Sequence, residues 1–177
     1  LEQEMGKAHK LYENAKGLQK KIFADIKLGK SPDIALLQKT SDSMVASIFR
    51  NQDALSCMSK LRSKNDYLIE HALSVSILMT VFAKHLQYKD NIIKELALGA
   101  FLHDVGMVQV SDAILNKKGK LTNDEFQTVQ QHVQQGLHLL EDSPAISHIA
   151  IKLVSEHHER LDGSGYPKGL VAEDISK

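Results

Sequence analysis

The chain has 177 residues, of which 42% are hydrophobic, and its 22 Lys and Arg balance its 22 Asp and Glu. This composition is typical of a single globular domain, and the lack of a basic excess argues against duplex nucleic acid or an anionic membrane as a partner. A single cysteine excludes an internal disulfide and predicts a reducing, cytoplasmic location, and no apolar run approaches the ~20 residues that span a bilayer.

The hydrophobic pattern is helical nearly throughout, which predicts an all-α fold. The first helix carries an apolar seam whose members are Leu1, Met5, Ala8, Tyr12, Ala15, Leu18, Ile22 and Ile26. This seam fits either a short coiled coil, which would form a homodimer through the helix, or an amphipathic helix packed on its own domain. We therefore interpret residues 1–43 as an N-terminal helical lead and residues 44–177 as the main domain. A first residue other than Met predicts that the chain is part of a longer one.

Turn and capping signals predict where the other helices begin and end. Gly29 ends the first helix, and the stretch SPD at 31–33 predicts a second helix that has Ser31 as its N-cap. This second helix is expected to continue to Arg62. The later helices are expected over 65–87, over 91–103, from the capping box at 122–125 to Glu141, and from Pro144 to the paired histidines. The residues of the 65–87 helix that are predicted to face the core are Leu68, Ala72, Val75, Leu78 and Met79. A long loop is expected around Gly106 and over 111–120.

Two dipeptides stand out as candidate metal ligands, His103-Asp104 and His157-His158. Neighbouring side chains on a helix diverge by about 100°, so such pairs suit two closely spaced metals or a helix end. Imidazole and carboxylate are ligands of transition metals, and two ions ~3.5–4 Å apart can activate water and neutralise charge on a phosphate. Taken alone, each histidine also fits a structural role in the core or on the surface.

The order of the motifs along the chain is more specific than any one of them. His71 lies in NDYLIEHALSVSIL (65–78), followed by FLHDVGM (101–107), HVQQG (132–136) and HHERLDGSGYP (157–167). This order resembles the HD-GYP family, a branch of the HD-domain metal-dependent phosphohydrolases, from about Met44 to the end of the chain.

The resemblance implies an HD-type helical bundle around a bimetal site, commonly of iron or manganese, that hydrolyses cyclic di-GMP to pGpG and onward to GMP. His71, His103 and Asp104 would then hold one metal, and Asp104 would bridge to a second. The expected ligands of the second metal are His132, His157 and His158. His103 and Asp104 would be the catalytic pair.

The glycine-rich turn of the last motif is expected to border the substrate groove and to contact regulatory partners such as a diguanylate-cyclase domain. The candidate substrate-binding residues are Gly163, Gly165, Tyr166 and Lys168. Glu159 and Asp162 are expected to fix the loop rather than bind metal.

Three departures from the family pattern bear on activity. Met107 stands where the family usually has a phosphate-binding lysine, and Tyr67 stands where some members have a glutamate of a third metal site. The family's last aspartate ligand is expected beyond Lys177, which predicts weaker metal binding by residues 1–177 alone. Met107 keeps open the alternative of a catalytically weak cyclic-dinucleotide receptor or interaction module. A phosphodiesterase for another cyclic dinucleotide such as cyclic GMP-AMP is a further alternative, because base selection depends on the shape of the groove.

Overall fold

A computed structural model describes residues 2–58, 66–141, 143 and 146–176. The helices, in chain order, are α1 (Glu2–Lys27), α2 (Ile34–Arg50), α3 (Gln52–Met58), α4 (Tyr67–His85), α5 (Asp90–Leu102), α6 (Asp112–Leu115), α7 (Asn123–Gln130), α8 (His132–Leu140) and α9 (His148–Glu156). A 3₁₀ helix, Val105–Gln109, links α5 to α6. Within the described residues the only strand-like pairing is one antiparallel bridge between Asp162 and Val171. The all-α prediction is confirmed.

The apolar seam of α1 is buried against the chain's own core. Tyr12 and Ile22 belong to the same hydrophobic cluster as Leu73 of α4 and Phe101 of α5. The structure therefore shows the second of the two alternatives for this helix, packing on its own domain. Leu1 lies outside the described residues, and both the boundary between 43 and 44 and a homodimer through α1 stay predictions.

The second helix differs from its predicted bounds at both ends. Its N-cap is Asp33 rather than Ser31, because the Asp33 carboxylate accepts a hydrogen bond from the Leu36 backbone N–H at 3.0 Å. Asn51 interrupts the helix, and its side-chain oxygen accepts from the backbone of the following residues to start α3. The predicted continuation to Arg62 passes into residues outside the described part of the chain.

The buried face of α4 is only partly the one predicted, since Ala72 is buried as expected. Leu78 was expected to face inward, but it is 60% exposed, whereas Leu73 and Ile77 are fully buried. The reason is that α5 packs against small polar residues of α4, and the Ser76 hydroxyl donates to the Ala97 carbonyl of α5 at 2.8 Å. A prediction from the spacing of apolar residues misses a buried face that is made of small polar residues. The predicted start at Asn65 lies outside the described residues.

By length and composition alone, α4 also passes the test for a membrane span, contrary to the expectation from the sequence. Half of that stretch is buried inside the fold, and the core helix of a folded domain passes the same test.

The capping box at the start of α7 is confirmed. Thr122 Oγ1 accepts from the Glu125 N–H at 3.3 Å, and the Glu125 carboxylate accepts from the Thr122 N–H at 2.7 Å. The helix predicted to continue to Glu141 is divided at Gln131 into α7 and α8. The last helix begins after the N-cap Ser147, and Pro144, its predicted start, lies outside the described residues.

Candidate metal centre

The carboxylate of Asp104 is the centre of the site. Asp104 lies two residues after the end of α5, and each of its oxygens faces a different pair of histidines. Asp104 Oδ2 is 3.1 Å from His103 Nε2 and 3.9 Å from His71 Nε2. Asp104 Oδ1 is 3.3 Å from His132 Nε2 and 3.6 Å from His157 Nε2. One carboxylate is therefore shared between two groups of imidazoles.

All six sequence-predicted ligands come together in the structure. Their candidate ligand atoms form two groups, and within each group the atoms lie within 4.8 Å of one another. One group contains Asp104, His132, His157 and His158, and the other contains His71, His103 and Asp104. The division is the one that the resemblance implied, and it places Asp104 in both groups.

Backbone hydrogen bonds orient three of the rings. In each, Nδ1 lies close to the carbonyl oxygen three residues earlier in the chain: His103 to Ala100 at 2.7 Å, His132 to Val129 at 2.7 Å, and His157 to Val154 at 2.8 Å. A carbonyl oxygen only accepts, so Nδ1 carries the proton and the Nε2 lone pair is directed into the site. This is the usual arrangement of histidines that ligate a metal.

The donor set fits a transition metal. His132 Nε2 and His157 Nε2 lie 3.2 Å apart, and both present lone pairs when Nδ1 holds the proton. Two lone pairs at this distance repel each other unless a cation or a proton lies close to both. Five imidazoles and one carboxylate match the preferences of iron, manganese, zinc or nickel rather than those of calcium or magnesium.

The charge state of the site follows from burial and hydrogen bonding. Burial raises the pKa of Asp104, but contact with the Nε2 atoms of His103, His132 and His157, which donate whenever a ring takes up a second proton, lowers it further, so the net pKa lies well below its usual range. Burial lowers the pKa of His158 to about 4, and charge on the neighbouring histidines adds to this shift. At neutral pH the site therefore combines an anionic carboxylate with a neutral His158.

Close backbone contact sets the position of Asp104 relative to α8. A Cβ atom on Gly106 would overlap the His132 carbonyl oxygen and would lie 2.6 Å from the Gly136 nitrogen. The 3₁₀ helix and α8 therefore touch backbone to backbone at Gly106. Because Gly106 is two residues after Asp104, this contact holds the Asp104 side chain against His132.

The glycine-rich loop folds back onto the end of α9. The Tyr166 N–H donates to the His158 carbonyl at 3.2 Å, and the Tyr166 ring stacks on the His158 ring at 4.5 Å between centroids. A Cβ on Gly165 would lie 2.5 Å from the His158 carbonyl oxygen, so the fold requires glycine there. Burial raises the pKa of Tyr166 to about 12, and the negative charge of Asp104 contributes.

Two acidic side chains hold the shape of this loop. The Glu159 carboxylate accepts from the Lys168 N–H at 2.7 Å and from the Leu170 N–H at 2.8 Å. Asp162 Oδ1 accepts from the Ser164 N–H at 3.0 Å and from the Ser164 hydroxyl at 2.6 Å. Both contacts are internal to the loop, as the sequence predicted for these residues.

A groove of about 390 Å³ lies between α7 and the loop, next to the paired histidines. Gly165 and Tyr166 line it, whereas Gly163 and Lys168 are not among its lining residues. Phe126 and Arg160 also line the groove and were missed by the sequence analysis. A phenylalanine on a mostly polar helix is the signal that could have pointed to Phe126.

A second groove, of about 400 Å³, lies on the other side of the site. Both residues that depart from the family pattern, Tyr67 and Met107, line it. The Tyr67 ring stacks on the ring of His71, with 5.9 Å between centroids and 10° between planes. The groove thus adjoins the His71 side of the site and has an aromatic ring and a thioether at these two positions, while Asp66 and Asp112 also line it.

Comparisons with known proteins show which relatives this chain is similar to. Cyclic di-GMP phosphodiesterase PA4108 from Pseudomonas aeruginosa is 38% identical over 99% of this chain and 42% of its own length. The cyclic di-GMP phosphodiesterase of Thermotoga maritima is 31% identical over 93% of this chain and 43% of its own length. The 3'3'-cGAMP-specific phosphodiesterase 3 of Vibrio cholerae is 35% identical over 64% of this chain and 25% of its own length. The chain thus spans less than half the length of these relatives.

A solved structure shares the fold. Bd1817, an HDG"Y"P protein from Bdellovibrio bacteriovorus, superposes with a TM-score of 0.80 at 22% identity, over 98% of this chain and 56% of that one. The likeness confirms the predicted HD-type helical bundle. The family model described as "HD domain" matches residues 56–177, a stretch that holds every candidate ligand. The chain therefore belongs to the HD domain family, in agreement with its resemblance to the HD-GYP branch.

Proposed function

We propose that this domain is a metal-dependent phosphodiesterase that hydrolyses cyclic di-GMP to the linear dinucleotide pGpG and onward to GMP. The observation that carries the proposal is the shared carboxylate of Asp104, with one oxygen facing each group of histidines. The relatives named as cyclic di-GMP phosphodiesterases support the choice of substrate.

Two divalent ions, iron or manganese, would complete the site. His71 and His103 would hold one ion, His132, His157 and His158 would hold the other, and Asp104 would contact both. Such a pair of ions supplies a nucleophile from water and neutralises charge on the phosphate.

The chain's own contribution is to keep this site rigid and correctly charged. Backbone carbonyls fix His103, His132 and His157 before any ligand binds, so little ordering is left for the reaction. The low pKa of Asp104 keeps its carboxylate ionised over the whole neutral range. The stacked ring of Tyr166 covers His158 on the groove side and limits access of water to it.

The glycine-rich loop is proposed to form one wall of the substrate site, through Gly165 and Tyr166, with Gly163 and Lys168 supporting or extending it. We also propose that the outer surface of this loop contacts a regulatory partner such as a diguanylate-cyclase domain. A cytoplasmic location fits both proposals, because the substrate is an intracellular messenger and the described cysteine, Cys57, is unpaired.

Two other functions are favoured by specific observations. Met107 lines the groove on the His71 side and provides no charge for a substrate phosphate, which favours a receptor that binds a cyclic dinucleotide with little turnover. The cGAMP-specific relative favours a phosphodiesterase for the mixed GMP–AMP ring. Measurable turnover of cyclic di-GMP distinguishes the main proposal from the receptor. The relative rates on cyclic di-GMP and cyclic GMP-AMP distinguish it from a phosphodiesterase for the mixed ring.

The test combines metal content with product analysis. The protein is loaded anaerobically with Fe(II) or with Mn(II), and its ions are counted by mass spectrometry of the metals. Cyclic di-GMP and cyclic GMP-AMP are then supplied in parallel, and products are separated by chromatography. We expect two ions per chain and faster formation of pGpG than of the mixed linear product.

Variants of the shared and unshared ligands sharpen this test. Asp104→Asn keeps the shape of the side chain but removes the charge that both ion sites share, so we expect it to lose both ions and all turnover. His71→Ala removes a ligand from one group only and should retain about one ion per chain. Full metal content and turnover in Asp104→Asn would contradict the bridging role.

A further inference from the structure

We propose that Phe126 and Arg160 form a guanine-binding subsite beside the metal centre. The proposal rests on the function proposed above and specifies one part of its substrate recognition. Both residues line the groove next to His157 and His158, and neither contributes to the hydrophobic core.

Phe126 has no structural role that explains its exposure. It is 48% exposed, and α7 contains no buried residue. Its ring and that of Tyr166 make a T-shaped contact, with 6.3 Å between centroids and 83° between the planes. The capping box and the ion pair between Lys117 and Glu125 hold the start of α7 in place. The result is an aromatic face at fixed position on the wall of the groove, which is the kind of surface on which nucleobases stack.

Arg160 lies across the groove with part of its guanidinium committed to the protein. Its Nε donates to the Ser164 hydroxyl at 2.9 Å and lies 3.6 Å from an Asp162 oxygen. Among the described residues, no partner reaches its two terminal nitrogens. A guanidinium held at Nε presents the other edge as a pair of donors, and two acceptors, O6 and N7, mark the edge of guanine.

Adenine offers a different pattern at the same edge, since its amino group is a donor that faces the donors of arginine. The subsite is therefore expected to accept a guanine stacked on Phe126 and to disfavour an adenine. Both cyclic di-GMP and cyclic GMP-AMP contain a guanine, whereas cyclic di-AMP does not, so the inference predicts rejection of the last.

The experiment measures substrate affinity and turnover separately. Phe126→Ala is compared with Phe126→Tyr, which keeps the aromatic face, and with Phe82→Ala, which removes a 58%-exposed phenylalanine on α4 that lines a different groove. Binding of pGpG is followed by titration calorimetry, and KM and kcat for cyclic di-GMP are measured on the same samples. We expect Phe126→Ala to weaken binding and raise KM by roughly tenfold with kcat within about twofold, Phe126→Tyr to retain most of the affinity that alanine loses, and Phe82→Ala to match the unaltered protein.

For the arginine, Arg160→Met is compared with Arg50→Met, which removes an exposed arginine paired with Glu4 at 3.6 Å. We expect Arg160→Met to reduce the preference for cyclic di-GMP over cyclic di-AMP by roughly tenfold, and Arg50→Met to leave it unchanged. If the unaltered protein neither binds nor cleaves cyclic di-GMP, the proposed function fails and this inference fails with it. If it does both, and Phe126→Ala and Arg160→Met behave like their controls, this inference alone is overturned.

Discussion

Replacing Gly106 by alanine tests whether backbone contact between the 3₁₀ helix and α8 sets the geometry of the site. The added Cβ would lie 2.6 Å from the Gly136 nitrogen, so that contact alone requires a shift of at least about 0.8 Å to reach an ordinary 3.4 Å. The Cβ also overlaps the His132 carbonyl, and both neighbours are backbone atoms that no rotamer change can move away. The two elements must therefore separate, and this moves His132 relative to Asp104, whose atoms are now 3.3 Å apart.

The cost can be estimated from that displacement. Overpacking of this kind costs ~3 kcal/mol, which lowers the midpoint of thermal unfolding by roughly 6–12 °C in a chain of this size. A misplacement near 1 Å in a catalytic site costs on the order of 100-fold in rate. Turnover by the folded variant should therefore fall strongly even at temperatures where Gly106→Ala stays folded. Differential scanning calorimetry and product chromatography on Gly106→Ala measure the two effects.

Gly17→Ala is the matched control. Gly17 lies within α1, and no atom lies within 4 Å of the position that its Cβ would take. Alanine there should stabilise the helix by about 0.5–1 kcal/mol and leave turnover unchanged. If Gly106→Ala unfolds at the same temperature as Gly17→Ala and retains full activity, the backbone contact does not set the site.

Three further outcomes are expected. Lys16→Met removes the ammonium that lies 2.6 Å from Glu70 and should lower the free energy of unfolding, measured in urea titrations, by about 3 kcal/mol. The double change of Lys16→Met with Glu70→Leu should recover most of that loss, and a failure to recover it would contradict the pairing. Hydrogen bonds from Lys20 and Lys16 hold the pKa of Asp66 below its usual value. Its stabilising contribution is therefore complete above the unfolded pKa of about 3.9 and is lost as the pH falls through the lower folded pKa, so the stability gap to Asp66→Asn should stay constant down to about pH 5 and close only in stronger acid. Met107→Lys should raise kcat/KM by roughly tenfold if a missing phosphate contact limits the rate, and an unchanged value would show that it does not.

The sequence predicted which candidate ligands lie together better than it predicted the packing around them. These candidates could be identified because a metal site restricts residue types at each position, and the order of His71, His103-Asp104, His132 and the final motif is therefore visible without coordinates. The capping box at Thr122 was predictable for a similar reason, since it depends on two residues at a fixed spacing.

The packing of α4 was not predictable in this way. Its buried side includes Ser74, Ser76 and Thr80, each hydrogen-bonded to a backbone carbonyl, and apolar periodicity does not record such residues. Phe126 and Arg160 were missed for another reason. Their proximity depends on how the final loop folds back toward α7, which is a property of the tertiary structure and not of local spacing.

The contact between Lys16 and Glu70 connects α1 directly to the helix that carries His71 of the candidate metal centre. Glu70 is the neighbour of His71 on α4, so a displacement of Lys16 would be transmitted to α4 next to that imidazole. Of the four imidazole contacts to the Asp104 carboxylate, that of His71 is the longest, at 3.9 Å, and its side chain is 35% exposed. A displacement of α1 would therefore act first on the more loosely held half of the site. Occupancy of that half would then report on forces applied to the helix some fifty residues earlier in the chain.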